Sequence, residues 1–154
     1  MNSLKIEPAD NSKHLIMELW HSFSKVYRNG KKRIEQELEK HSIKTLELRL
    51  LFSISKEGKC PIGSLASEIN VTSAWVTGIV EELENRNLVK KHRNANDRRI
   101  IDVSLTPAGK KLVKTGMKIY EDLVGDAVKG LSLEELKEFE RILMKVNSSI
   151  QSSD

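Results

Sequence analysis

Residues 86–109 read RNLVKKHRNANDRRIIDVSLTPAG. The short apolar run Leu88-Val89 leads into Lys90, Lys91 and Arg93. A polar tip follows at Asn94-Ala95-Asn96-Asp97, and Arg98-Arg99 precede a second run from Ile100 to Leu105. Two β-prone runs separated by Asn/Asp turn residues predict a hairpin with a cationic tip. Such a tip suits a DNA groove lined by phosphates. A charge cluster alone is equally well a solvated face, so the reading rests on what precedes it.

Residues 61–87, PIGSLASEINVTSAWVTGIVEELENRN, read as two short helices joined by a tight turn. Ala66, Asn70 and Val76 fall in a helix-turn-helix register: a small residue where the helices cross, a turn residue, and a buried aliphatic. Thr72 or Ser73 caps the second helix, whose inner face carries Val76, Ile79, Val80 and Leu83. Asn87 stands where that helix must end, and Asn tolerates the left-handed conformation. A helix-turn-helix followed directly by a basic hairpin makes a winged helix-turn-helix.

The flanks are helical. From about Asn11 to Lys40 the residues Leu15, Ile16, Leu19, Trp20, Phe23, Val26, Tyr27, Ile34 and Leu38 recur at helical spacing. Gly30 is placed to bend or loosen this helix. Thr45 is expected as the N-cap of a second helix ending at Gly58, and Pro61 at the first position of a third. Thr106-Pro107 opens a helix carrying Leu112, Val113, Met117, Tyr120, Leu123, Val124 and Val128, stopping at Gly130. Ser132-Leu133-Glu134-Glu135 is a capping box for a last helix through Leu136, Phe139, Ile142, Leu143 and Val146. Residues 148–154 are expected to fray. The fold class is mainly α, an α+β winged helix in the order ααααββαα. One chain, 1–154, holds a DNA-binding lobe at 45–105 between dimerisation helices at 11–40 and 107–150.

Composition agrees with helices that borrow core from a second subunit: apolar residues are 38% and charged residues 31% of the 154-residue chain. A first helix of 28 residues spans ~42 Å, more than a winged domain can cover, and its stripe needs a partner. Two-fold symmetry then sets two recognition helices ~34 Å apart, one turn of DNA. The net charge is +4 and the sequence pI about 9.1, with the basic residues gathered at 86–99. The single cysteine, Cys60, forms no intrachain disulfide and suits a reducing compartment. The stretch MNSLKIEPADNSKHL has neither a basic n-region nor an apolar h-region, and no apolar run approaches the ~18 residues that span a bilayer. A cytoplasmic location is expected.

Enzymatic and metal chemistry find no support. His14, His21, His41 and His92 form no H-x-E spacing, no C-x-x-C occurs, and no Gly-rich phosphate loop or nucleophile elbow appears. No cofactor is expected. If the second helix of the pair enters the major groove, Thr72, Ser73, Ala74, Trp75 and Thr77, with Gly78, meet bases and phosphates. Trp75 reads equally as partly buried structure. Asp97 and Arg99 face alike if the tip is extended, so that the carboxylate orients a guanidinium for the minor groove. The plain alternative is a surface ion pair worth ~0.5 kcal/mol.

The run NVTSAWVTGIVEELENRNLVKKHRNANDRRIIDVSLTPAGKKL, residues 70–112, resembles the winged-helix core of the multiple antibiotic resistance regulator (MarR) family of transcription factors. The family's wing signature, Asp-x-Arg, a strand and Leu-Thr-x-x-Gly, matches Asp97, Arg99, Leu105, Thr106 and Gly109. The resemblance implies a homodimeric regulator binding a pseudo-palindromic operator, in many members a repressor released by small anionic or phenolic ligands. It implies Arg99 as the minor-groove arginine, Asp97 as its orienting carboxylate and Thr72 to Thr77 as recognition contacts; the basic cluster itself makes Lys90, Lys91, Arg93 and Arg98 the expected DNA contacts beside them. Trp20, Phe23 and Tyr27, with the second and fifth helices, would line the ligand pocket, although an aromatic stripe is more commonly plain core. Gly78 stands where many members carry a long polar residue, and Asn87 replaces the usual glycine. The cysteine sensor that some members carry near the first helix is missing, as Cys60 lies elsewhere. Two other functions share the fold: a winged helix that binds protein, which needs an apolar recognition face and a neutral wing, and a DNA-architectural protein without a ligand.

Overall fold

Helix α1 (Asp10–Glu39) leads to α2 (Thr45–Glu57), a short strand β1 (Lys59–Pro61), and the pair α3 (Ile62–Glu68) and α4 (Ser73–Asn85). The hairpin β2 (Val89–Arg93) and β3 (Ile101–Leu105) follows, then α5 (Pro107–Val128) and α6 (Leu133–Gln151). The computed structural model describes residues 10–152; the N-terminal stretch 1–9, on which the expectation about a leader falls, and residues 153–154 lie outside it.

The mainly α winged-helix class stands, with one more strand than expected. β1 pairs antiparallel with β3, Cys60 opposite Val103, giving a sheet in the order β1-β3-β2. The element order is therefore ααβααββαα. Pro61 closes β1 with extended φ −62° and ψ 137° and caps α3, rather than taking its first helical position. Thr45 likewise is the first residue of α2 and not its cap. Lys44 holds that place, and Glu47 reaches back to its N–H at 3.0 Å, which satisfies one orphan donor. Residues 148–151 continue α6 instead of fraying.

Four left-handed or capping residues fall where their types place them. Asn70 (φ 56°) makes the turn between α3 and α4, and Asn87 (φ 55°) the exit from α4. Thr72 accepts the Trp75 N–H at 3.3 Å as the cap of α4. Ser132 and Glu135 form the reciprocal capping box of α6, at 3.2 and 2.7 Å.

The core lies between α2, α3, α4 and the sheet, on Leu50, Leu51, Ile54, Leu65, Val76 and Val103, all without exposed surface. α5 crosses this core closely. A Cβ on Gly109 would stand 2.0 Å from the Leu88 carbonyl oxygen, and one on Gly116 2.5 Å from Leu48 methyls. At Gly109 the obstacle is backbone and only glycine allows the approach, whereas at Gly116 the Leu48 side chain would have to shift. Thr106 secures the same junction: its hydroxyl accepts the Gly109 N–H at 3.0 Å and donates to the Asn87 carbonyl at 2.7 Å.

The outer helices are bare. Along α1, Leu15, Trp20, Phe23 and Tyr27 are half or more exposed, whereas Leu38 at its far end is fully buried. α6 buries none of its residues although Phe139, Ile142, Leu143 and Ile150 recur along one face. A stripe of that length left in water is unfavourable, since each such side chain gains ~1.5–3 kcal/mol on burial.

Candidate nucleic-acid interface

The outer face of α4 is small and polar. Thr72, Ser73, Ala74, Thr77 and Gly78 are exposed, while Trp75 is half-buried and packs with Ile79 against the core. The Thr77 hydroxyl donates to the Ser73 carbonyl at 3.0 Å. Its lone pairs, and the proton of the Thr72 hydroxyl, remain for an incoming group. A Cβ on Gly78 would touch nothing, so the face offers close approach there.

The wing is built from side chains as much as from backbone. The Asn94 N–H closes the loop on the Ile100 carbonyl at 3.0 Å, and the Asn94 side-chain oxygen accepts the N–H groups of Asn96 (2.9 Å) and Asp97 (3.2 Å). Asp97 accepts the Arg99 N–H at 2.9 Å, and its carbonyl takes the Ile100 N–H at 3.0 Å. The tip is thus a turn, not an extended segment. The expectation that Asp97 and Arg99 share a face does not hold, and Asp97 fixes the backbone of Arg99 rather than its guanidinium. Lys90, Arg93, Arg98 and Arg99 are exposed, and among the described residues none pairs with a carboxylate.

Lys91 differs from its neighbours. Its ammonium lies 2.9 Å from Glu84 of α4, and its backbone N–H donates to the same carboxylate at 3.0 Å. These bonds from Lys91 hold the Glu84 carboxyl below the usual carboxylate range. Lys91 therefore ties the wing to α4 and is less available for a phosphate than Lys90.

Sequence reasoning passed over the base of the wing. Asp102 of β3 is 4% exposed and accepts from the Asn94 amide at 3.0 and 3.2 Å, and from Lys59 of β1 at 3.2 Å. The Asn94 bond, then Lys59, holds its carboxyl below the ordinary range against the opposing effect of burial. His92, opposite Asp102 in register, bonds the Ser104 hydroxyl at 2.8 Å. Cys60 is buried, and burial, then the nearby carboxylates Glu57, Glu68 and Asp102, pushes its thiol up. A thiolate is disfavoured there.

A cleft of about 950 Å³ opens between α1 and the lobe, walled by Tyr27, Lys31, Ile43, Arg49, Trp75 and Arg86 among others. Trp20 and Phe23 are not on its wall; they stack with centroids 6.2 Å apart, two turns and one turn N-terminal to Tyr27 on α1. α4 supplies the wall expected from the fifth helix. Arg86 bridges the cleft floor, bonding buried Glu47 at 3.1 Å and the Ser42 carbonyl. Among the described residues no cluster of His, Cys, Asp or Glu is arranged to hold a metal ion. No helix among them is long and apolar enough to cross a membrane.

A three-stranded sheet whose hairpin stands beside a capped, outward-facing second helix defines a winged helix-turn-helix protein. Residues 43–101 match the family model described as the MarR family. It is similar to the HTH-type transcriptional regulator YhbI of Bacillus subtilis (strain 168), 28% identical over 120 residues, covering 78% of each chain. Among solved structures it is similar to YusO of Bacillus subtilis, with TM-score 0.78, 23% identity, and coverage of 89% of this chain and 97% of that one. It is also similar to a mutant MarR from E. coli complexed with operator DNA, with TM-score 0.70, 23% identity, and coverage of 85% and 94%.

Proposed function

We propose that this MarR-family regulator binds a pseudo-palindromic DNA operator as a homodimer, in the cytoplasm, and represses transcription until a small anionic or phenolic effector enters the cleft beside α1. The observation that carries the reading is the set of exposed, unpaired cations Lys90, Arg93, Arg98 and Arg99 standing beside the small polar face of α4. The face of α4 seats in the major groove through Thr72, Ser73, Ala74 and Thr77, and the wing reaches the flanking minor groove with Arg99. The bare stripes of α1 and α6 supply the subunit interface. A protein-binding winged helix would carry an apolar face on α4, and Thr, Ser, Ala and Gly are there instead. The operator complex of the related E. coli MarR supports DNA as the partner.

The test is a titration of wild type, Arg99→Ala and Lys90→Ala against one operator at two salt concentrations, with the mass of each complex measured. Arg99→Ala is expected to lose about 1–3 kcal/mol of affinity, with one operator base preference relaxed. Lys90→Ala loses affinity evenly across sequences and flattens the salt slope by about one unit. Complexes contain two chains per operator. Arg99→Ala binding like wild type, or a complex with one chain, overturns the assignment.

A further inference from the structure

The loop 94–100 has no ladder of its own, yet its arginines need a fixed direction to enter a groove. That direction originates in β3. The planar amide of Asn94 has donors at one end and an acceptor at the other. Both Asp102 oxygens take the donor end, at 3.2 and 3.0 Å, which turns the acceptor end outward to the N–H groups of Asn96 and Asp97. Asp97, so placed, caps the N–H of Arg99. A carboxylate as buried as Asp102 keeps partners rather than sharing them with water, and Lys59 of β1 pairs with its Oδ2 atom at 3.2 Å.

We propose that Asp102, acting through Asn94, is a positioning residue for the wing, setting the turn that presents Arg98 and Arg99 to DNA. Lys59 anchors the same carboxylate to β1, so the three-residue strand serves the loop on the far edge of the sheet. This inference rests on the reading of the wing as a DNA contact.

Charge makes the test discriminating. Asp102→Ala removes a negative charge near the wing, so electrostatics alone would tighten DNA binding, whereas a freed loop weakens it. Asn94→Asp keeps the acceptor for Asn96 and Asp97 but sets two carboxylates against each other. The double variant Asn94→Asp/Asp102→Asn restores a donor–acceptor pair in reverse and the wild-type net charge. Each variant is titrated against one operator, alone and with Arg99→Ala, and amide hydrogen exchange of residues 95–100 is followed in the free protein.

Asp102→Ala and Asn94→Asp are expected to bind about tenfold more weakly, the double variant close to wild type, with exchange at the tip faster in the single variants only. On the Arg99→Ala background the single changes weaken binding less than they do alone, because of the two groups they position only Arg98 remains. Loss that adds fully to that of Arg99→Ala, tighter binding by Asp102→Ala, or failure of the double variant to recover overturns the positioning role. Arg99→Ala binding like wild type overturns the DNA-contacting wing itself, and this inference with it. Weak binding by Arg99→Ala beside wild-type behaviour of both single variants overturns this inference alone.

Discussion

Replacing Gly109 by alanine sets a methyl carbon 2.0 Å from the Leu88 carbonyl oxygen and 3.0 Å from its carbon. Both atoms are backbone, so nothing can swing aside. To regain a contact of 3.0 Å the first turn of α5 and the start of the wing must part by about 1 Å, a repacking that costs about 2 kcal/mol. The same carbonyl takes the Thr106 N–H at 3.1 Å, and loosening that bond costs about 1 kcal/mol more. A total near ~3 kcal/mol lowers the melting temperature by roughly 6–12 °C for a chain of this size. Circular dichroism melts at one fixed chain concentration measure it. Gly78→Ala is the control: its Cβ meets nothing, and removing a glycine from the helix interior gains about 0.5–1 kcal/mol. Gly109→Ala melting within ~2 °C of wild type, or Gly78→Ala falling as far as Gly109→Ala, would refute the close-approach argument.

Two further outcomes follow from the ion pairs. Arg86→Ala strands the buried Glu47 carboxylate and should cost about 2 kcal/mol in urea denaturation. Glu47→Gln should cost less, since the freed guanidinium reaches water; the reverse order would show that Glu47 is not the dependent partner. Asp102, whose carboxyl lies below its ordinary value, is protonated less readily in the folded protein than in the unfolded chain. Its contribution is complete above the unfolded value near ~4 and disappears as the pH falls through the lower folded one. Wild type should therefore lose more stability than Asp102→Asn between pH ~5 and ~2, and parallel acid limbs would contradict this.

Periodicity, caps and turn chemistry were enough for α1, α4, α5, α6 and the hairpin, because each is specified by neighbours in sequence: Thr72, Asn87, Thr106 and Ser132 act within three or four residues of themselves. β1 was not legible. Three residues carry no period, and the partner that makes Lys59–Pro61 a strand lies 41–45 positions onward at Asp102 to Ser104. Asn94 and Asp97 can be recognised as turn residues, but not which backbone groups they hold, so the sequence leaves open whether the tip is extended. The aromatic stripe showed that α1 has an apolar face without showing where along it the lobe sits. Tyr27 meets the cleft and Trp20 and Phe23 do not, because the packing of α1 against α5 and α2 decides that.

Glu84 holds Lys91 by both its ammonium and its backbone N–H, so the seated helix and the wing form one stiff body. Relative drift between them would break two bonds to one carboxylate at once. If the proposed groove contacts are made, such a reader would not let one go while keeping the other; it would disengage from both grooves together. In the proposed homodimer, the freedom that would remain is the placement of two such bodies relative to each other, set by the long outer helices. A signal that altered binding without unfolding the lobe would then act on that placement.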